Sequence, residues 1–153
     1  MATLFSDAFS STTGLVPYRS NGALVKVATF RYVVPSGGVP VTTASRINLF
    51  LLPFNSRILR GEIEVVTNCG SLVCRLVASD APTDTILFGS PYIILAVPGQ
   101  NRVDRTSRGM LYTSPSDVPA SLRANGGVRI ALAPINNGTL TANGQLRGYF
   151  LYV

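Results

Sequence analysis

Residues 46–66 read RINLFLLPFNSRILRGEIEVV, and apolar and polar positions alternate along both halves of the stretch. In the first half Ile47, Leu49 and Leu51 fall on one side of an extended chain and Asn48, Phe50 and Leu52 on the other, the period of two that a strand imposes. Pro53 has no amide to donate and Asn55-Ser56 favours a turn, so the chain is expected to reverse across residues 53–56. Beyond it Leu59, Gly61, Ile63 and Val65 alternate with Ile58, Arg60, Glu62, Glu64 and Val66, one face apolar and the other mostly charged. The two halves read as a hairpin with one face on a core and one in water, and Leu49, Leu51, Ile63 and Val65 as core residues.

The rest of the chain supplies more strands. Residues 23–34 put Leu24, Ala28, Phe30, Tyr32 and Val34 on one side and Val25, Val27 and Val33 on the other. With both faces partly apolar, this reads as a central strand or one covered by a neighbouring subunit. Residues 35–45 read as a loop. Residues 72–78, LVCRLVA, follow a tight turn at 68–71 and are expected to pair beside their predecessor. A short strand at 86–88 and the apolar run YIILAV at 92–97 come next. Residues 98–109, PGQNRVDRTSRG, carry Arg102, Arg105 and Arg108 and read as a projecting loop; residues 110–113 suggest a brief strand and 119–124 leave room for one helical turn. VRIALA at 128–133 and QLRGYFLYV at 145–153 close the domain. Residues 1–22 hold isolated apolar residues (Leu4, Phe5, Phe9, Leu15, Val16, Tyr18) that follow neither period. They read as an extended N-terminal arm, with Phe5 and Phe9 as anchors, ahead of a domain spanning 23–153. Eight or nine strands suffice for two stacked sheets, so the expected class is all-β, an antiparallel β-sandwich.

Composition agrees. A chain of 153 residues buries enough surface to fold without metal or disulfide. The charge of +6 rests on arginine, with Lys26 the single lysine, which suits an acidic partner as well as simple solubility. No run of 18 apolar residues exists, so no membrane partner is expected, and the first residues lack the basic and apolar regions of a signal peptide. Cys69 and Cys74 are the only cysteines, and without histidine they cannot complete a four-ligand zinc site. A reduced pair is favoured over a hairpin-edge disulfide, because nothing marks export.

Candidate chemistry is thin. The absence of histidine removes the usual nucleophilic and zinc-water sites. Asp80 and Asp84 share a loop whose DAPTD spacing lacks the ligands of a calcium cage. The glycines cluster at turns rather than in a phosphate cradle, and the Arg102, Arg105, Arg108 set lacks the aromatics of a single-strand stacking platform. The expectation is no enzyme, no cofactor and no metal.

The opening MATLFSDAF, the stretch GLVPYRSNG running into LVKVATF, the proline-marked apolar segment, VASDAPTDTILFG and the closing LRGYFLYV together resemble small virion proteins of tailed bacteriophages, the head decoration or capsid cement proteins. The resemblance covers most of the chain, although Ser79-Asp80 and Ala81-Pro82 stand where the family's aspartate-rich loop carries Gly-Asp pairs. It implies a jelly-roll-like sandwich that assembles as a homo-oligomer, a dimer or trimer, on the outer surface of a phage head. Such a protein clamps major capsid protein subunits and is assembled in the cytoplasm of the bacterial host. Phe5, Phe9, Tyr18, Arg102, Arg105 and Arg108 are the candidate capsid or subunit contacts, and no direct nucleic-acid contact is expected because packaged DNA lies behind the shell. The rival within the virion is a tail, fibre or collar component. A basic nucleic-acid-binding module would instead show steep salt dependence, and a carbohydrate-binding or enzymatic sandwich is disfavoured by the lack of tryptophan and histidine.

Overall fold

β-branched and aromatic residues at alternating positions, broken by Gly, Pro and Asn, give short strands and little else. The computed structural model describes residues 3–5, 25–53, 56, 58–80, 83–86, 92–104 and 127–152. The strands are β1 (Thr3–Phe5), β2 (Lys26–Val33), β3 (Val39–Val41), β4 (Arg46–Leu52), β5 (Ile58–Thr67), β6 (Val73–Asp80), β7 (Thr83–Ile86), β8 (Ile93–Ile94), β9 (Gly99–Asp104), β10 (Val128–Pro134), β11 (Gly138–Leu140) and β12 (Gln145–Tyr152). One sheet runs β1-β4-β10-β6-β7, with β8 also pairing β6; the second runs β2-β12-β5-β9; β3 and β11 form a small third. Among the described residues only β1 on β4 is parallel, and every other pairing is antiparallel. The all-β sandwich expected from the pattern is the observed architecture.

The two large sheets meet through aromatic rings. Phe50 of β4 packs against Phe150 of β12 (ring centroids 5.1 Å apart) and Phe30 of β2 (6.2 Å). Gly148 sits directly across from Phe30, and Gly61 across from Phe150. A Cβ at Gly61 would run into the Phe150 ring, and one at Gly148 would meet Phe30 at 2.7 Å. The rings therefore lie over bare backbone, which lets large side chains fill the layer without spreading the strands. Ile47, Leu49, Ile63, Val65, Ile130, Leu132 and Leu146 complete this core, and β3 and β11 add Val41 and Leu140. Each fully buried aliphatic or aromatic side chain contributes about 1.5–3 kcal/mol.

Several connections differ from the sequence reading. At the turn expected over 53–56 the Ser56 amide donates to the Pro53 carbonyl at 3.3 Å, while residues 54 and 55 lie outside the described residues. This segment does not close a hairpin, however, because β4 pairs with β10 while β5 pairs with β12 and β9 of the other sheet. The segment at 68–71 likewise carries the chain from β5 to β6 across the sandwich instead of folding β6 back on β5. Alternation reports which face of a strand is apolar but not which strand lies beside it, and that is where the reading failed. Phase also slips: Phe50 pairs Ile130 and Asn48 pairs Ala131, so Leu49 is skipped in a bulge. Phe50 and Leu52 thus join Ile47 and Leu49 in the main core, whereas Leu51, though buried, falls on the other face beside Arg129.

The loop expected at 35–45 contains β3, and residues 99–104 form β9 on the edge of the second sheet rather than a projecting loop. Of YIILAV only Ile93–Ile94 is strand; the chain then turns, and Leu95 is tied to Leu72 and Cys69 by backbone hydrogen bonds of 2.9 Å. Among the described residues β2 is an edge strand, with β12 as its neighbour, instead of the central strand of one of the two readings. The brief strand at 110–113 and the helical turn at 119–124 lie outside the described residues.

Candidate interaction surfaces

The solvent face of the second sheet is organised in cross-strand rows. Arg31, Arg147, Glu64 and Gln100 form one; Thr29, Tyr149, Glu62 and Arg102 the next; Val27, Leu151 and Arg60 follow. The Arg147 Nε donates to Glu64 Oε2 at 2.5 Å, and this carboxylate raises the arginine's pKa further. A shallow open depression of about 370 Å³ lies on this face, lined among others by Thr29, Glu62, Glu64, Arg147 and Gly148. At the sheet edge β2 and the residue before it present apolar surface: Val25, Val27 and Val33 are 43–56% exposed.

A second apolar surface lies on the outer face of the first sheet. Ile94 sits opposite Val73, and the Ile135 amide donates to the Val73 carbonyl at 2.9 Å, so the three are neighbours. Arg75 follows Val73 by two residues and occupies the same face. Its Nη2 donates to the Tyr92 hydroxyl at 2.5 Å, and its guanidinium carbon is 4.9 Å from the Tyr92 ring centroid. Tyr92, Ile94 and Ile135 are 44–49% exposed. Farther along this face Val77, Ala131 and Ala133 form a small buried cluster. Asn48 beside it is buried, with no hydrogen-bond partner for either amide atom among the described residues. Arg129 is half-buried, and burial lowers its pKa.

The titratable groups described in the interior include two cysteines and a tyrosine. Cys69 and Cys74 are free and buried, and Cys69 donates its thiol to the Thr67 carbonyl. Burial pushes Cys69 up to about 11, Cys74 up to about 12 and Tyr32 up to about 12, the last two also raised by the neighbouring Cys69. Thiols that stay protonated to such pH are poor nucleophiles. Among the described residues, no three His, Cys, Asp or Glu side chains are grouped to hold a metal ion.

Of the contact residues expected from sequence, Arg102 lies on β9 opposite Glu62, so its charge has a cross-strand counterpart. Phe5 belongs to β1, its backbone alongside Asn48 of β4. Phe9, Tyr18, Arg105 and Arg108 lie outside the described residues. The sequence reading did flag Val25, Val27 and Val33 as a second apolar face. It missed Arg75 with Tyr92, because their meeting depends on β8 docking against β6, seventeen residues away along the chain.

Fold and surfaces together define an all-β sandwich whose described exterior offers apolar faces rather than a deep cleft. No family model matches the chain, and no curated protein matches it. From end to end its fold is similar to that of a chain in the capsid of Ralstonia phage GP4, with a TM-score of 0.62 and 15% identity over 99% of this chain and 97% of that one. A chain of the cyanophage Pam1 capsid asymmetric unit aligns with a TM-score of 0.49 and 19% identity, over 95% of this chain and 97% of that one.

Proposed function

We propose that this chain is a non-enzymatic structural protein of a phage virion, a cement or decoration protein that binds the outside of the head and clamps neighbouring major capsid subunits. The observation that carries this reading is a fold shared over the whole chain with a component of a phage capsid. Two further features support it. Apolar side chains are exposed on opposite outer faces of one small sandwich, which suits a molecule held between two neighbours. Many copies on one rigid lattice turn modest single contacts into strong total retention, so no single face needs to be large.

The test is to mix the purified protein with heads assembled without it and to follow co-sedimentation, particle imaging and the temperature at which heads rupture. Saturable binding to the exterior with a higher rupture temperature is expected. Failure to bind heads, or recovery of the protein with tails alone, would overturn the reading.

A further inference from the structure

We infer that Arg75 and Tyr92 form the centre of a docking site for an apolar protein segment that carries a carboxylate. Only the identity of the partner, the capsid shell, rests on the function proposed above.

Three observations converge on this site. The guanidinium is held by the Tyr92 hydroxyl at 2.5 Å and lies 4.9 Å from the centre of its ring, so little side-chain freedom is left to lose when a partner arrives. Around the pair lie Val73, Ile94 and Ile135, the last two nearly half exposed. An apolar segment laid on them excludes water from the guanidinium, and a charge-assisted hydrogen bond gains strength where water is excluded. Tyrosine and arginine inside an aliphatic ring is also the composition found at the energetic centres of protein interfaces.

The missing element is the acid. Among the described residues no carboxylate forms an ion pair with Arg75; Glu64 is taken by Arg147, and Glu62 lies across from Arg102 on the other sheet. With a net charge of +6, the chain is short of acids overall. An apolar face with a partly exposed arginine, on a chain of net charge +6, is complementary to an acidic, apolar segment of a partner protein. A nucleic acid fits less well, since phosphate tracking needs a row of cations, whereas this face offers Arg75 among isoleucines, with Arg129 half-buried beyond.

Two probes test the site on the full chain. In the first, a Val-Leu-Glu-Leu-Val peptide, its Gln counterpart and a thymidine oligonucleotide are titrated while the NMR signals of Arg75, Tyr92 and Ile94 are followed. The Glu peptide is expected to shift all three and to bind at least roughly tenfold more tightly than the Gln peptide, the scale on which an interface arginine discriminates. In Arg75→Gln that preference should vanish. In the second probe, heads lacking the protein are mixed with the wild type, Arg75→Gln, Ile94→Asp and Tyr92→Phe, after thermal melting has verified that each variant is folded. Retention should drop at least about tenfold for the first two variants and by less for Tyr92→Phe, which keeps the ring but frees the guanidinium. Equal affinity for the two peptides, preference for the oligonucleotide, or self-association that Arg75→Gln abolishes would each overturn the inference. So would undiminished retention of the variants on heads that bind the wild type. If the wild type itself fails to bind heads, the functional reading falls, and the peptide contrast alone decides this site.

Discussion

Gly148 and Gly61 show how little room the interior leaves. A methyl group at Gly148 would overlap the Glu62 carbonyl and press on Phe30, so Gly148→Ala is expected to cost about 1–3 kcal/mol, read as a lower denaturant midpoint at unchanged slope. Tyr32 shows the converse. Its hydroxyl is buried without a hydrogen-bond partner among the described residues, so Tyr32→Phe should hold stability at neutral pH or raise it by up to about 1 kcal/mol. pH adds a second reading of the same residues. Folding raises Tyr32 from 10 to about 12, Cys69 from 9 to about 11 and Cys74 from 9 to about 12. Below about pH 9 both states keep these protons, and the stabilisation from holding the groups neutral is complete. Above it the unfolded chain releases protons that the folded chain retains, so stability falls progressively from about pH 9 through about pH 12. Denaturant midpoints across that range should show the loss, with a shallower decline in Tyr32→Phe above pH 10.

At the scale of elements, the sequence was legible strand by strand and illegible pair by pair. Ile63 and Val65 were readable as core because Glu62 and Glu64 alternate with them, and burial follows that alternation from Gly61 to Val65, whereas a bulge at the start of β5 buries Ile58 in place of Leu59. The phase of β4 was not readable, since every residue from Ile47 to Leu52 is buried and a bulge at Leu49 moves Phe50 to the face that strict alternation assigns to Leu49. Register slips of this kind leave no trace in a run that is apolar on both sides. Leu49→Ala is expected to cost about 2–5 kcal/mol because the side chain is fully buried in the main core. Leu51→Ala, on the other face of the sheet, should cost less; equal losses in the two variants would mean that the bulge does not divide the strand. The site was less legible than the fold. Arg102 was conspicuous in sequence and lies across from Glu62 on the neighbouring strand, whereas Arg75 sat inside an ordinary strand pattern and owes its setting to β8 and Ile135.

Across the whole molecule, the two apolar outer surfaces belong to different sheets, so a change on one should leave the other intact. Val27→Asp together with Val33→Asp should reduce retention on heads without altering the binding of a Glu-bearing peptide at Arg75. Loss of both would place the two surfaces in one site. The order of strands carries a different consequence. β10 lies between β4 and β6, and β12 lies between β2 and β5, yet both filling strands come after all four of their neighbours in the chain. A polypeptide leaving the ribosome therefore exposes β2, β4, β5 and β6 before either central partner exists, and their pairings all span long stretches of sequence. Nascent chains arrested before β10 should be digested by protease as readily as an unfolded chain, and resistance should appear only once β12 has emerged. Assembly of this fold is thus a single late event, timed by the synthesis of its last two sheet-filling strands.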